Sequence, residues 1–374
     1  MKNGKLRDKF VSIDNWLRSI LIEREEEVQG CMIALVAGEH VFLVGPPGTA
    51  KSLLAECICN SIVGAKYFGI LMNKFTVPEE LFGPISIKKM DEQDVYERKV
   101  ESMLPEADIA FLDEIWKANS AINNTLLRVT NERIYKNGTK ESKVPLKTMF
   151  CASNEFPEGD ELGAIYDRLA LKFCVHYVSD ESFLQLMSLK DIDPTSGPKI
   201  TVEEMEDAKA EAMAIDIPED VRLKLKEMRV RLMAENVVVS DRKWRQAEKL
   251  IKASAFLRGN KEVVVQDLSI LKDVLWKTEQ QIATVMSTVL DIADPTAKIA
   301  LELSNEFRSV VDNATYNTQD ECAEAISKIK TIGKKVKVAI ADNPKSTVFQ
   351  TLLDRINQTL KDISDRLVGA EVRR

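Results

Sequence analysis

Residues Gly45–Ser52 restrict the fold of this chain more than any other segment. They read Gly-Pro-Pro-Gly-Thr-Ala-Lys-Ser and stand between an apolar, strand-like run, Val41–Val44, and a helical pattern. In such a strand–loop–helix unit, consecutive backbone N–H groups and the positive end of the helix attract phosphate. We therefore expect a phosphate-binding loop in which Lys51 neutralises phosphate oxygens and the Ser52 hydroxyl binds Mg²⁺. The residues predicted to contact a nucleoside triphosphate are Gly45, Pro47, Gly48, Thr49, Ala50, Lys51, Ser52 and Leu53.

Two adjacent carboxylates follow a second strand-like run, Ile109–Leu112. Asp113 is predicted to hold the Mg²⁺ together with Ser52, and Glu114 to orient and deprotonate the water that attacks the γ-phosphate. The alternative is a strand that runs into an acidic turn without a catalytic role, since such a turn would have the same local sequence. Because one reaction needs both the phosphate-binding loop and this acidic pair, their presence in one chain favours the catalytic interpretation.

Three further polar positions fit the same reaction. Asn154 ends an apolar run, and its amide would hydrogen-bond the attacking water or the γ-phosphate. Arg168 could reach the γ-phosphate of a neighbouring subunit and stabilise charge in the transition state, although a surface salt bridge with Asp167 is the alternative. Arg242, or alternatively Arg245, opens a later helix and could fold over the nucleotide.

The pattern of predicted elements changes along the chain. Up to about residue 180, apolar runs alternate with helical patterns, which is typical of a parallel sheet covered on both faces. The segment Pro78–Leu104 interrupts this alternation. The strand-like runs are Val41–Val44, Ile109–Leu112, Leu146–Ala152 and Leu171–Tyr177. The helical patterns are Glu25–Ala37, Ser52–Val63, Asn119–Glu132, Thr201–Ala214, Pro218–Glu235, Ser240–Leu257, Val265–Val289, Ala297–Val311, Asp320–Ala341 and Ser346–Val368.

A break with two prolines and a glycine at 193–198 and the Asp294-Pro295 pair predict the domain boundaries. We expect an αβ core at 1–195, an all-helical lid subdomain at 199–290 and a three-helix, bundle-like region at 296–374. Only the short Val237–Val239 run resembles a strand beyond the first break. In the last helix, apolar residues recur three and four positions apart, as in bundles and coiled coils. These residues are Leu353, Ile356, Leu360, Ile363 and Leu367.

Composition favours some classes of protein over others. The chain has 374 residues, of which 45% are hydrophobic and 30% are charged, as in soluble globular proteins. Its net charge of −7 argues against nucleic acid as the main partner. The scattered cysteines argue against a disulfide framework or a cysteine-based metal site. Since neither a secretory signal nor a membrane-spanning stretch is predicted, we expect a cytoplasmic protein.

The ordered set of these motifs resembles that of AAA+ ATPases. More narrowly, the chain is similar to the MoxR branch, and especially to RavA-like ATPases, in which alanine instead of glycine commonly precedes the lysine, as Ala50 does here. The resemblance covers roughly Arg7 to Val289. It is carried by GPPGTAKS (45–52), PEELFGPISI (78–87), LPEADIAFLDEIWKAN (104–119), NTLLRVTNERIYKNG (124–138), ASNEFPEGDELGAIYDRL (152–169), SDRKW (240–244) and DLSILKDVLW (267–276).

The resemblance implies an α/β P-loop AAA+ core, followed by an all-α lid and a C-terminal helical bundle. The core would be a parallel sheet with helices on both faces, and Pro78–Leu104 would form the insertion hairpin in helix 2 that marks this clade. One feature departs from the RavA type, whose helical bundle is interrupted by a small β-rich partner-binding domain. The segment Ala297–Val368 leaves too little room for that domain, so partners that use it are not expected here.

The resemblance also implies the assembly and its ligands. A hexameric ring would bind ATP and Mg²⁺ between subunits, with Arg168 acting in trans on the neighbouring site. A protein client and a von Willebrand A domain partner are implied as well. The residues that would act in cis are Lys51, Ser52, Asp113, Glu114 and Asn154.

Three functions are compatible with these motifs. The leading hypothesis is an ATP-driven, chaperone-like remodeller of proteins. A DNA-dependent motor is the alternative from another class, and it predicts ATP hydrolysis that DNA stimulates with a steep salt dependence. A nucleotide-gated scaffold is the third, and it predicts almost no hydrolysis without a partner.

Overall fold

The computed structural model describes residues 2–189, 191–314, 318–344 and 347–371. Their internal contacts divide the chain into two units, Met1–Met286 and Ser287–Arg374. The helices are α1 (Lys2–Ile20), α2 (Glu25–Ala37), α3 (Lys51–Asn60), α4 (Pro78–Phe82), α5 (Ile87–Gln93), α6 (Ser120–Glu132), α7 (Asp160–Tyr166), α8 (Asp180–Ser188), α9 (Val202–Ala214), α10 (Glu219–Ala234), α11 (Asp241–Arg258), α12 (Ile282–Ala293), α13 (Pro295–Asn313), α14 (Gln319–Asp342) and α15 (Thr347–Glu371). The strands are β1 (His40–Val44), β2 (Ile62–Val63), β3 (Tyr67–Leu71), β4 (Ile109–Asp113), β5 (Ile134–Asn137), β6 (Lys140–Lys143), β7 (Thr148–Ser153), β8 (Leu169–Cys174) and β9 (Ile200–Thr201).

Five strands of the first unit form one parallel sheet in the order β3-β4-β7-β1-β8. The four strands expected from apolar runs are confirmed, and they are buried because helices pack against the sheet. Strand β3 was missed. It lies at the edge of the sheet, and only Phe68 of its residues is buried, so it lacks the continuous apolar pattern of its neighbours.

The two ends of this sheet hold different groups of predicted site residues. We call the end at which β1, β4 and β7 finish the carboxyl edge, and it leads to Gly45, Glu114 and Asn154. We call the opposite end the amino edge, and Arg168 immediately precedes β8 there. In the β1–β8 pair, His40 lies opposite Leu169 and Val44 opposite Cys174, so the whole length of β1 separates the two edges.

The segment Pro78–Leu104 leaves the sheet as expected, but its form differs from a regular hairpin. Its antiparallel pairing is a single bridge between Ile85 and Arg98, flanked by a hydrogen bond of 2.8 Å from Ser86 N–H to Glu97 O. Helix α5 occupies the turn, and the Ser86 hydroxyl caps it by accepting the Lys89 N–H. The regular two-stranded hairpin is β5–β6, which directly follows α6.

The prediction of one helix over Val265–Val289 is wrong. A 3₁₀ helix covers Val265–Asp273, a second covers Glu279–Gln281, and α12 follows. The buried Lys172 ammonium donates to the Trp276 carbonyl at 2.5 Å and lies 3.5 Å from the Val274 carbonyl. We infer that these contacts to the sheet replace helical hydrogen bonds. The strand at Val237–Val239 is also wrong, because Val237 closes the end of α10.

Three helices of the second unit, α13, α14 and α15, pack against one another pairwise. The apolar spacing predicted for the last helix is confirmed in part, since Leu353, Ile356 and Ile363 are buried and Leu360 packs beside them. The Leu367 side chain lies outside the described residues. The described part of this unit contains no strand.

Candidate nucleotide-binding site

The loop Gly45–Ser52 packs closely against the strands beside it. Gly45 N–H donates to Ser153 O at 3.0 Å, which joins the loop to the end of β7. A Cβ atom on Gly45 would stand 2.0 Å from the carbonyl oxygen of Val175. Only glycine fits this position, so the sequence pattern has a direct steric cause here.

The backbone of the loop forms a cradle for an anion. The N–H groups of residues 48–53 have no hydrogen-bond acceptor among the described residues, and Leu54 N–H is the first to bond inside the helix, to Ala50 O at 3.0 Å. These donors include the free N–H groups at the start of α3, where the helix dipole is positive. The loop therefore fits the phosphates of a nucleotide.

Lys51 supplies a buried positive charge to this cradle. Its side chain is only 8% exposed, and its ammonium donates to the carbonyls of Gly45 (2.7 Å) and Pro46 (2.8 Å). Burial lowers the pKa of Lys51, while the nearby Asp113 and Glu114 carboxylates oppose that shift. Because both hydrogen-bonded partners are neutral, a phosphate oxygen would be a stronger partner for this ammonium.

Two residues at the carboxyl edge have left-handed backbone conformations. Ala50 has φ 63° at the start of α3, and Glu114 has φ 53° directly after β4. The left-handed region costs a non-glycine residue about 1–2 kcal/mol. The loop and the acidic turn therefore hold strained backbone at the site, a pattern common at functional positions.

The structure brings Asp113, Glu114 and Asn154 together at the carboxyl edge. Asn154 Nδ2 donates to Glu114 Oε1 at 2.6 Å, and Ser153 Oγ lies 3.5 Å from the other carboxylate oxygen. Asp113 Oδ1 accepts the Glu114 N–H at 3.0 Å. The amide of Asn154 therefore orients the Glu114 carboxylate, and its expected hydrogen bond to the attacking water or the γ-phosphate stays a prediction.

A buried arginine behind the phosphate-binding loop was missed by sequence reasoning. The guanidinium of Arg24 donates to the carbonyls of Glu23 (2.6 Å), Thr49 (3.4 Å) and His176. It therefore ties the loop to the segment that follows β8. Its sequence context, Glu-Arg-Glu-Glu-Glu, resembles an exposed charged surface, so no local signal identifies it.

Arg168 and Arg242 lie at the amino edge, away from the loop of their own chain. Five residues of β1 span about 17 Å at a rise of about 3.3 Å per residue, which is longer than an arginine side chain. Arg242 Nη1 is 3.3 Å from Asp167 Oδ2, and it does not fold over its own phosphate-binding loop. Arg245 is exposed and lines a cavity between α10 and α11.

The helix that carries Arg242 begins where the sequence predicts it. The Ser240 hydroxyl caps α11 by accepting the Lys243 N–H at 3.2 Å, and Thr201 and Glu204 form a capping box at the start of α9. Both helices pack against α2, which precedes β1. This arrangement places the lid helices beside the amino edge of the sheet.

Comparison with known proteins shows the family. Residues 8–209 match the model of the MoxR domain in the MoxR-vWA-beta-propeller ternary systems, and residues 215–289 match an AAA lid domain. The chain belongs to the MoxR family of AAA+ ATPases. The finer similarity to RavA-like proteins stays a prediction.

Several proteins are similar to this MoxR-family chain. One uncharacterized protein of Methanocaldococcus jannaschii is 37% identical over 84% of this chain and 82% of its own length. A second from that organism is 35% identical over 95% of this chain and 91% of its own length. The chaperone MoxR1 of Mycobacterium tuberculosis is 23% identical over 49% of this chain and 48% of its own length.

A solved structure supports the fold of the family. A putative ATPase from Cytophaga hutchinsonii superposes with a TM-score of 0.64 at 17% identity, over 78% of this chain and 96% of that one. It is therefore similar in fold. Within the described residues, no helix is both long and apolar enough to span a bilayer.

Proposed function

We propose that this MoxR-family ATPase hydrolyses ATP in a homo-oligomeric ring, in which two neighbouring subunits build each active site. The observation that carries this proposal is the separation of the predicted site residues between the two edges of the sheet. Lys51, Glu114 and Asn154 lie at the carboxyl edge, whereas Arg168 lies at the amino edge. A neighbour can supply an arginine finger that the chain cannot supply to itself.

The residues of the carboxyl edge fit Mg²⁺ as well as ATP. Mg²⁺ takes few protein oxygens, together with water and substrate phosphates, so a site without a carboxylate cluster suits it. Among the described residues, the Ser52 hydroxyl has no hydrogen-bond partner, and the Asp113 carboxylate accepts only the N–H of Glu114. Ser52 and Asp113 would hold the ion, which would neutralise phosphate charge when bound.

Each remaining residue has one role in this mechanism. The cradle of residues 48–53 and Lys51 bind and orient the phosphates. Glu114 receives the proton of the attacking water, and Asn154 holds the Glu114 carboxylate in place through the 2.6 Å hydrogen bond. Arg168 of the neighbour stabilises the charge that develops on the transferred phosphoryl group.

We infer that the energy of hydrolysis remodels a protein client, together with a von Willebrand A domain partner. The matched domain model describes MoxR-vWA-beta-propeller ternary systems, and MoxR1 is named a chaperone. These names support the proposal by similarity. The hexameric ring and the cytoplasmic location stay predictions from the sequence.

Substitution of Glu114 by glutamine tests the central step. Glutamine keeps the shape and the hydrogen bond to Asn154 but cannot accept the proton, so turnover should fall about 100-fold or more while ATP still binds. The surface variant Glu106→Gln is the matched control and should keep full turnover. Unchanged turnover in Glu114→Gln would contradict the assigned role. Affinity purification of the ATP-bound Glu114→Gln oligomer then identifies the client and the partner.

A further inference from the structure

We propose that Lys243 and Gln246 of α11 are positioning residues, which fix the backbone on both sides of Arg168 and so aim its guanidinium at the neighbouring subunit. This inference rests on the proposed role of Arg168 in trans. Both residues lie within the matched lid domain, and neither the motifs nor that match gives them a role.

Three consecutive carbonyls around Arg168 accept hydrogen bonds from one helix. Lys243 Nζ donates to Asp167 O at 2.8 Å and to Leu169 O at 3.1 Å. Between them, Gln246 Nε2 lies 3.2 Å from Arg168 O. The carbonyl of Arg168 and those on each side of it are thus held by α11.

The same helix also holds the side chain beside Arg168. Asp167 Oδ1 lies 3.4 Å from Ser240 Oγ, and Asp167 Oδ2 lies 3.3 Å from Arg242 Nη1. Arg168 and Arg242 are therefore presented together, on a backbone that is fixed from one side by α11. A small rotation of this helix would move both guanidinium groups.

The burial of Lys243 is costly and calls for an explanation. Lys243 is 5% exposed, and both of its side-chain hydrogen bonds go to neutral backbone carbonyls. Burial lowers the pKa of Lys243 to about 8, with the charges of Asp167 and Glu39 opposing the shift. An apolar side chain of similar length would fill this space without burying a charge. We attribute the lysine to its geometry, since three donors on one ammonium reach two carbonyls at once.

Gln246 connects the Arg168 segment to the strand that leads into the phosphate-binding loop. Its Nε2 also donates to Glu39 Oε2 at 3.0 Å, and Lys249 donates to Glu39 Oε1 at 2.6 Å. Glu39 immediately precedes β1, which ends at the loop. The position of α11 is thereby fixed against the amino ends of both β1 and β8.

The Arg168 side chain depends on this backbone for its direction. Its Nη1 donates to Ala164 O at 2.5 Å, one turn before it, and its buried Nε has no partner among the described residues. Burial and the nearby Arg242 lower the pKa of Arg168. Because the guanidinium has so few contacts of its own, its direction would change if α11 no longer held the carbonyls of Asp167 and Leu169.

A double-mutant cycle with full-length protein tests the inference. In the wild-type background, Lys243→Met should lower kcat about tenfold or more, with ATP affinity and KM unchanged, because misplacement of a catalytic group by about 1 Å can cost up to 100-fold. In the Arg168→Ala background the same substitution should have no further effect, measured by single-turnover hydrolysis. Lys243→Arg, which keeps a cation and several donors, should restore most of the lost kcat.

Two further variants keep the test decisive. If Lys243→Met does not fold, Gln246→Met removes the hydrogen bond to the Arg168 carbonyl together with the one to Glu39 and leaves both Lys243 bonds in place. It should give a smaller loss of kcat with the same dependence on Arg168. Lys252→Met is the control on α11. It removes an ammonium that donates to Met213 O of α9 at 3.2 Å, away from Arg168, and should leave kcat unchanged.

The outcomes separate this inference from the proposed function. Equal losses of kcat in both backgrounds would show that Lys243 acts independently of Arg168 and would overturn the positioning role. If Arg168→Ala itself leaves kcat unchanged, the role of Arg168 is wrong and the positioning role fails with it. A loss of ATP affinity instead of kcat would also contradict the inference.

Discussion

The two edges of the central sheet are shaped by different means. At the carboxyl edge, short contiguous motifs and strained backbone form the site, as Ala50 and Glu114 show with their positive φ angles. At the amino edge, side-chain hydrogen bonds from α11, more than seventy positions away in sequence, hold Arg168. The carboxyl edge is thus set by local backbone, whereas the amino edge is set by tertiary packing.

In the proposed mechanism, this difference lets one chain bind a nucleotide while it needs a second copy to hydrolyse it. The cradle, Lys51 and Glu114 need no help from a neighbour to assemble. Arg168 cannot reach them, because β1 separates the two edges by about 17 Å. Substitutions at the two edges should therefore affect different steps. At the carboxyl edge they should affect nucleotide binding and activation of the water, and at the amino edge they should affect stabilisation of the transition state in the neighbouring subunit.

The largest effect is expected from Arg168→Ala at the amino edge. Loss of an arginine finger should lower kcat about 1,000-fold, because the charge on the transferred phosphoryl group loses its partner. ATP affinity should hardly change, since Arg168 does not contact its own phosphate-binding loop. Steady-state kinetics and a fluorescent-nucleotide titration measure both. Arg128→Ala, which removes an exposed pair with Glu141, is the control. A large loss of ATP affinity would contradict the separation of the edges.

A smaller effect is expected from Asn154→Ala at the carboxyl edge. Without the amide, the Glu114 carboxylate loses its shortest hydrogen bond and is free to rotate, so kcat should fall about tenfold. This loss should be absent when Glu114 is already glutamine, which a double-mutant cycle measures. Equal losses in both backgrounds would show that Asn154 acts on the nucleotide directly, as the sequence first suggested.

The smallest effect is expected from the strained position of the loop. Ala50→Val places a β-branched side chain at φ 63° and should lower the free energy of unfolding by about 1 kcal/mol. Ala50→Gly removes the strain at some cost in unfolded-state entropy, so it should change stability by about 0.5 kcal/mol or less. Urea denaturation of both variants measures these differences. Equal stability of the valine variant and the wild type would show that the loop is not strained.

The sequence predicted the carboxyl edge far better than the amino edge, and the reason is physical. Gly45, Lys51 and Asp113 belong to short motifs whose spacing follows from backbone geometry, so a single sequence reveals them. Lys243 has no such spacing, because its partners Asp167 and Leu169 lie at the start of β8, which only the fold brings near. Arg24 was missed for the same reason.

Some elements of the fold were also beyond the sequence. Strand β3 was missed because an edge strand needs little apolar surface. The long helix over Val265–Val289 was predicted because the segment has helical spacing. In the structure, the Lys172 ammonium of β8 donates a hydrogen bond to the Trp276 carbonyl. In both cases tertiary contacts override the local pattern.

The central claim is that each active site takes residues from two subunits. Co-expression of Lys51→Ala, which lacks the phosphate-binding ammonium, with Arg168→Ala tests it most directly. Each variant alone should be almost inactive. In mixed oligomers, an intact site forms wherever an Arg168→Ala subunit receives Arg168 from a Lys51→Ala neighbour, so random mixing should restore about a quarter of wild-type turnover. Turnover no higher than the sum of the two separate variants would contradict the account.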